Sequence, residues 1–244
     1  MVRTPTTLLL CTLFAASCAS TSESVEAPVT VPATDASLTA TTSTTSMQQP
    51  ATTLAVEPVT YEVAEIAPDD PAAATWREGC PVALEALRVV DVPFRGFDDR
   101  DHRGELVVHA LVADAVGSVF VELFELGFPM ERVELIGTFD GDDDASMTAN
   151  NTSGFNCRFV AGTSTWSNHA SGLAIDINPL LNPWVTRRGV FPPEAELFAT
   201  RPLDVAGVIN EGDRVVELFA EIGWSWGGDW SQPDYQHFEF IVGD

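Results

Sequence analysis

The sequence predicts a folded domain of the α+β class, because helix and strand patterns are mixed without a repeating strand–helix–strand order. Apolar residues recur at helical spacing over residues 112–124, and Gly127 follows as a stop signal. A second helix is expected over residues 213–223, with Asp213 as its N-terminal cap and Gly223 at its end. Two helices of ordinary length therefore accompany the predicted strands.

Four short segments have strand character. Residues 106–108 are apolar and residues 133–136 are mainly apolar, and both segments contain β-branched residues. Residues 173–178 and 235–242 alternate apolar with polar side chains over most of their length. An alternating strand buries one face and presents the other, so the last two segments are where functional side chains are expected.

The charge of the chain excludes one large class of partner. Its 244 residues include 36 acidic residues and 12 basic ones, all arginine, for a net charge of −24. A surface this negative repels phosphate backbones, so we expect no nucleic-acid partner. The charge itself is typical of a solvated, exported protein.

The N-terminal residues 1–18 resemble a bacterial export signal. Arg3 precedes a short apolar stretch at residues 8–16 that is too short to span a bilayer. The segment ends in Ala15-Ala16-Ser17-Cys18, which resembles a lipoprotein signal in which the cysteine carries the lipid. We therefore expect a location at the outer face of the cytoplasmic membrane or in the cell wall, anchored through Cys18. Simple cleavage and secretion is the alternative.

Two further regions follow the signal. Residues 19–75 are rich in Thr, Ser, Ala and Pro and lack a sustained apolar period, which predicts a disordered tether. Aromatic residues and apolar runs begin at Trp76, so residues 76–244 are the predicted folded domain.

The segment around residues 167–176 has the first candidate site residues. If residues 173–178 form a strand, Ile175 points into the core and Asp176 points to the opposite face. Gly172 would let the chain fold His169 back towards that carboxylate.

The C-terminal strand offers the complementary residues. Alternation buries Phe238 and places His237 and Glu239 on the other face. Two histidines and one carboxylate are a minimal protein ligand set for a catalytic zinc ion, which then keeps one position open. Such a zinc polarises a carbonyl and acidifies water, as amide hydrolysis requires.

Three motifs together resemble the family of zinc D-alanyl-D-alanine carboxypeptidases and L-alanyl-D-glutamate endopeptidases, above all its endopeptidase branch. They are Ser167-x-His169-x-x-Gly172-x-Ala174-x-Asp176, Gly223-Trp224-x-Trp226-Gly227-Gly228-Asp229-Trp230 and Asp234-x-x-His237-Phe238-Glu239. The resemblance implies that His169, Asp176 and His237 bind one Zn²⁺. It also implies a mainly antiparallel central sheet, helices on one side, and the zinc at the open edge of the sheet.

The resemblance assigns two catalytic roles. Asp234 stands three residues before the last histidine, where the family has an acid that activates water and protonates the leaving amine. Arg158 matches an arginine that stabilises the developing oxyanion. The alternatives are a turn or cap role for Asp234 and an ion-pair role for Arg158.

The remaining site predictions are substrate contacts and a disulfide. Ser167 is expected to bind substrate or support a ligand. Trp224, Trp226 and Trp230 are expected to wall the cleft, and packing within the fold is the alternative for these three residues. Cys80 and Cys157 are an isolated cysteine pair in an exported domain, which favours a disulfide over a zinc-ligand role for Cys157.

The predicted function is hydrolysis of a peptide bond in peptidoglycan stem peptides by a monomer. The bond is either L-Ala-D-Glu, which the motifs favour slightly, or the terminal D-Ala-D-Ala bond. The alternative function is a non-catalytic, zinc-containing module that binds the cell wall.

Overall fold

The computed structural model describes residues 58–243. The predicted export signal, Cys18 and the first part of the predicted tether lie outside the described residues. Within the described part of the chain, no helix combines the length and apolar character needed to cross a bilayer.

The described chain contains three α-helices and ten short strands. The helices are α1 (Ala113–Glu125), α2 (Asp143–Thr148) and α3 (Arg214–Glu221). The strands are β1 (Glu62–Glu65), β2 (Leu87–Arg95), β3 (Asp101–His109), β4 (Arg132–Val133), β5 (Asn151–Thr152), β6 (Ala174–Asp176), β7 (Trp184–Thr186), β8 (Gly189–Phe191), β9 (Ser225–Trp226) and β10 (His237–Glu239).

The strands form small, open sheets. One three-stranded sheet has the order β1-β2-β3 and another the order β6-β10-β9, and both are antiparallel. A parallel pair, β4-β5, and an antiparallel hairpin, β7-β8, complete the set. The predicted α+β class is confirmed, but the antiparallel strands are divided between two sheets where one central sheet was expected.

The two larger sheets share one apolar core. Helix α1 packs against β2 and contacts α3, which packs against β9. Phe120 of α1, Phe219 of α3, and Ile175 and Phe238 of the second sheet are all fully buried in this cluster. Burial of this apolar surface fixes β6 and β10 to the rest of the domain.

The helix predictions are accurate, and one strand prediction is not. Helix α1 has the expected bounds within a residue or two, and α3 begins directly after Asp213. Asp213 is the N-cap residue, as predicted, but its carboxylate accepts hydrogen bonds from Asn210 and none from the backbone of the helix. Of the predicted strand 133–136 only Val133 is extended, because a 3₁₀ turn, Ile136–Phe139, follows.

The ordered domain begins earlier than the predicted boundary at Trp76. Strand β1 pairs with β2, and the 3₁₀ turn Pro71–Ala73 buries Ala72 and Ala73 in a second apolar cluster. The predicted disordered tether is therefore wrong for the described residues 58–75. Backbone pairing orders this segment, together with the side chains of Ile66, Ala72 and Ala73, which are buried in that cluster.

A disulfide joins Cys80 to Cys157, as the sequence predicts, with a Cα–Cα distance of 5.9 Å. It links two segments 77 residues apart. Arg77 donates a hydrogen bond to the Cys157 carbonyl and its guanidinium lies over the Trp166 ring, so this region has further long-range contacts. The disulfide therefore restrains the chain immediately before Arg158.

Removal of this disulfide is expected to destabilise the domain. The Cys80→Ser/Cys157→Ser double variant should lose about 2–4 kcal/mol of unfolding free energy, because a long loop is released in the unfolded state. Urea unfolding of the oxidised wild type and the double variant measures this loss. Equal unfolding midpoints would contradict a stabilising role for the bond.

Candidate metal centre and catalytic cleft

The register of β10 against β6 places two of the predicted ligands side by side. His237 is the direct cross-strand partner of Asp176, and the next pair along the ladder is Phe238 with Ile175. Because side chains alternate along a strand, Phe238 and Ile175 enter the core while His237 and Asp176 share the opposite face. This is the alternation that the sequence predicts for both segments.

His169 reaches the same face from a 3₁₀ turn, Asn168–Ser171, that directly precedes β6. The turn ends at Gly172, whose φ of +68° is in the left-handed region. A Cβ at Gly172 would also lie 2.7 Å from the His109 amide nitrogen. Glycine therefore allows the tight reversal that brings His169 next to Asp176.

The His169 ring is oriented by the backbone. Its Nδ1 lies 2.7 Å from the Gly154 carbonyl oxygen, which can only accept a hydrogen bond. Nδ1 therefore carries the proton, and in the neutral ring Nε2 presents its lone pair to the cluster. A ligand histidine oriented by a carbonyl in this way is common in metal sites.

The three predicted ligands converge. Nε2 of His169 lies 3.1 Å from Oδ2 of Asp176 and 3.3 Å from Nδ1 of His237. Nδ1 of His237 lies 3.0 Å from Oδ1 of Asp176. Ligand atoms around a tetrahedral zinc at about 2.0–2.1 Å lie about 3.3 Å from one another. The donor set and its spacing therefore fit one metal ion.

The charges in the cluster favour a cation. Burial acts to raise the pKa of Asp176, but the adjacent His169 and the hydrogen bonds from both imidazoles hold it well below its usual range. Burial would lower the pKa of His237, whereas hydrogen bonds to Asp176 and Glu239 raise it to about 10. The metal-free cluster thus holds a proton that a bound metal would displace.

Glu239 and Asn168 support His237 from behind. Oε2 of Glu239 lies 3.3 Å from His237 Nε2, on the side of the ring away from Asp176. Asn168 donates a hydrogen bond to the same carboxylate oxygen. These contacts fix the orientation of the His237 ring, which is the usual function of residues behind a metal ligand.

Asp234 lies in the same cleft as the cluster, as the resemblance implies. Its amide donates to the Gly227 carbonyl at 2.9 Å, and a Cβ at Gly227 would lie only 2.7 Å from the Asp234 carbonyl oxygen. The carboxylate Oδ1 is buried and has no partner among the described residues. Burial raises the pKa of Asp234 to about 7, which suits a group that takes and returns a proton.

Arg158 also lines the cleft, where it forms an ion pair with Asp143. Its Nη2 lies 2.7 Å from Oδ2 of Asp143, while its Nε is buried without a partner among the described residues. Burial raises the pKa of Asp143 despite the neighbouring Arg158. Asp143 is not among the predicted site residues, because an acidic run such as residues 142–144 has the composition of a solvated loop. In the structure Asp142 caps α2 and Asp143 faces Arg158.

The cleft has a volume of about 560 Å³, and both aromatic and charged residues line it. The metal-ligand cluster, Asp234 and Ser167 lie along it, and the role of Ser167 stays a prediction. Its aromatic lining residues are Trp166, Trp184, Phe191 and Trp230. Trp230 is 40% exposed, and its ring centroid lies 5.3 Å from that of His237.

The predicted substrate contacts of Trp224 and Trp226 are wrong. Both side chains are buried in the main core and neither lines the cleft. Trp224 packs against Phe219 of α3, and Trp226 donates its indole N–H to the Tyr235 carbonyl at 2.9 Å. The aromatic motif therefore stabilises the fold, and its last tryptophan, Trp230, is the one that reaches the cleft.

Substitutions at Trp224 and Trp230 are expected to separate these two roles. Trp224→Ala should lower the free energy of unfolding by about 3–5 kcal/mol, because it leaves a large cavity in the core. Trp230→Ala should raise KM several-fold with little change in stability. Thermal unfolding and steady-state kinetics on both variants measure the difference, and a KM effect at Trp224 in a fully stable protein would reverse the assignment.

One comparison with known proteins matches this part of the chain. The family model described as D-alanyl-D-alanine carboxypeptidase matches residues 161–240. No curated protein and no solved structure matches the chain significantly. The matched region contains His169, Asp176, Asp234 and His237, and Arg158 lies just before it. Residues 161–240 are therefore similar to the D-alanyl-D-alanine carboxypeptidase family of peptidases, which supports the family predicted from the sequence motifs.

Proposed function

We propose that this protein is a zinc peptidase that hydrolyses peptide bonds in the stem peptides of bacterial peptidoglycan. The observation that carries the proposal is one cleft that contains three converging ligand atoms and the buried carboxylate of Asp234, whose Oδ1 has no hydrogen-bond partner among the described residues. The family match supports a peptidase and a peptide substrate from the cell wall. Zinc suits the donor set of two imidazoles and one carboxylate.

Asp234 acts as the general acid and base in this proposal. Zinc in the site would polarise the scissile carbonyl and make water more acidic. Asp234, when ionised, takes a proton from the attacking water and then gives it to the amine that leaves. A carboxylate with a pKa near 7 can do both at neutral pH.

Arg158 stabilises the negative charge that develops on the carbonyl oxygen. Its guanidinium is held at the cleft by Asp143, and the buried Nε–H has no partner among the described residues. A preorganised donor of this kind acts mainly in the transition state.

Arg158→Gln is therefore expected to lower kcat by about 10²–10³-fold with little change in zinc content. Arg132→Gln, at an exposed arginine that pairs with Glu134 outside the cleft, is the matched control. Hydrolysis assays with a stem-peptide substrate measure kcat for both variants, and metal analysis measures their zinc content. Near-normal kcat in folded Arg158→Gln would leave Arg158 with only its ion-pair role.

Two bonds are candidates for cleavage. The sequence motifs favour the L-Ala-D-Glu bond, whereas the description of the matching family names the D-Ala-D-Ala bond. Digestion of purified muropeptides by the full-length protein, with products identified by mass spectrometry, distinguishes the two. Release of D-Ala identifies a carboxypeptidase. A sugar that carries only L-Ala, together with a free peptide that begins with D-Glu, identifies an endopeptidase.

The same digestion tests the proposal as a whole. Products that form with zinc, disappear with a chelator and return when zinc is added back are the expected result. A protein that binds zinc and peptidoglycan but releases no product would instead be the non-catalytic wall-binding module. The position of Asp234 in the cleft favours turnover over that alternative.

We further propose that the protein is exported and anchored to the outer face of the membrane by a lipid on Cys18. The N-terminal signal supports this, and a disulfide between Cys80 and Cys157 suits an oxidising compartment. Membrane fractionation and lipid labelling of wild type and Cys18→Ser test the anchor. Cleaved, unlabelled wild-type protein in the medium would favour simple secretion.

A further inference from the structure

The turn of the β7-β8 hairpin places one arginine at the cleft. Arg187 and Arg188 form the two-residue connection between the strands, and both are exposed. Arg188 lines the cleft, whereas Arg187 does not. The amide of Arg188 donates to Oγ1 of Thr186 at 3.0 Å, and that hydroxyl donates to the Gly189 carbonyl. The turn is thus held by its own hydrogen bonds.

The hairpin is also tied to the chain around the catalytic acid. Trp184 forms an isolated antiparallel bridge with Asp234, and the Val185 amide donates to the Pro233 carbonyl at 2.8 Å. These backbone hydrogen bonds fix the position of the hairpin, and with it the backbone of Arg188, relative to Asp234. The hairpin therefore holds the positively charged Arg188 at one side of the cleft.

Among residues 58–243, no acidic side chain forms an ion pair with Arg188. Two arginines line the cleft, and Arg158 is taken by Asp143 at 2.7 Å. No carboxylate of the described residues lies within ion-pair distance of Arg188. In a chain with a net charge of −24, an arginine that lines a cleft without an acidic partner is available to an anionic group of a ligand. The cleft carboxylates are Asp143, Asp144, Asp176 and Asp234.

We propose that Arg188 determines substrate specificity by binding a free carboxylate of the peptide that is cleaved. This inference rests on the proposed function, since it assumes a stem peptide in the cleft. Stem peptides carry a free carboxylate on D-Glu and another at the C-terminus, and a guanidinium binds either one by charge-assisted hydrogen bonds. Among the described residues that line the cleft, Arg158 is paired with Asp143, so Arg188 is the arginine that sets where the anionic end of the substrate lies.

Equilibrium binding provides the first test. Uncleaved stem peptide is titrated into zinc-loaded full-length Asp234→Asn, alone and combined with Arg188→Gln or Arg187→Gln. Arg188→Gln should weaken binding by about 3- to 10-fold, with the effect smaller at high salt, because a partly exposed ion pair is lost. Arg187→Gln is the matched control and should leave the dissociation constant unchanged.

Peptides with single carboxamides identify the carboxylate. If Arg188 binds the D-Glu carboxylate, a peptide amidated at D-Glu should bind Asp234→Asn with the same affinity whether or not Arg188→Gln is also present. A peptide amidated at the C-terminus should still bind the Arg188→Gln combination more weakly. The reverse pattern assigns the C-terminal carboxylate. Equal weakening for every peptide, or equal effects of Arg187→Gln and Arg188→Gln, would overturn the proposal.

Kinetics separate this inference from the proposed function. In the Asp234-containing protein, Arg188→Gln should raise KM by a similar factor and leave kcat nearly unchanged. Binding that depends on the peptide carboxylate and on Arg188, but without any turnover, would contradict the peptidase activity and support the binding role of Arg188. Turnover with a KM that is insensitive to Arg188 would contradict only the inference.

Discussion

Asp234→Asn is expected to lower kcat by about 10²–10⁴-fold while zinc content stays the same, because the variant keeps the shape of the side chain but cannot accept the proton of water. The wild-type rate should fall as pH decreases through the pKa of Asp234, since only the ionised form is a base. Burial is the main reason that this pKa is raised to about 7. Steady-state rates from pH 5 to 9, with metal analysis of both proteins, measure the effect.

The same substitution should stabilise the metal-free protein at neutral pH. Between the ordinary aspartate pKa of 3.8 and about 7, the unfolded chain has lost a proton that folded Asp234 keeps. Unfolding therefore becomes easier as pH rises through this window. Relative to the wild type, Asp234→Asn should gain on the order of 4 kcal/mol from pH 4 to pH 8. Normal turnover together with pH-independent relative stability would contradict both roles.

His237→Ala is expected to abolish turnover, with a loss of at least about 10³-fold, and to weaken zinc binding by more than the 10–100-fold typical of residues behind a ligand. The substitution removes one of three converging ligand atoms and leaves the carboxylate of Asp176 without its cross-strand partner. Zinc titration with a competing chelator and peptide hydrolysis assays measure the two effects.

His102→Ala is the matched control for this loss. His102 lies in β3 at the surface, bonded to Asp98, and takes no part in the cluster. The His102→Ala variant should therefore retain its zinc and its peptidase activity. If His237→Ala kept stoichiometric, tightly bound zinc, or if His102→Ala lost it, the metal would be held elsewhere.

Part of the site could be predicted because it follows from local geometry. The period of two along β6 and β10 correctly assigns Phe238 to the core and both Asp176 and His237 to the opposite face. The register between the strands could not be derived in this way, since it joins residues 61 positions apart. The family resemblance supplied that long-range information.

The errors concern residues whose environment is set by distant parts of the chain. Trp224 and Trp230 lie in one motif, but only packing against Phe219 of α3 determines that Trp224 is buried. The acidic run at 142–144 has the composition of a solvated loop, and Asp143 is covered because Arg158 lies opposite. No spacing within either segment indicates these partners.

Strand β1 shows a limit of composition as a guide to order. All four residues of Glu62–Glu65 are exposed, so the strand contributes little apolar surface for a sequence pattern to reveal. It is ordered by backbone pairing with β2, whose Val90 is fully buried. The partner strand, and not the segment itself, carries the apolar pattern that fixes this pair.

The most direct test is a crystal structure of the zinc-loaded protein with anomalous diffraction recorded on both sides of the zinc absorption edge. We expect one strong zinc peak about 2.0–2.2 Å from Nε2 of His169, a carboxylate oxygen of Asp176 and Nδ1 of His237, with its open side facing the cleft. A zinc peak at other residues, or none at these three in protein that retains stoichiometric zinc, would contradict the proposed catalytic centre.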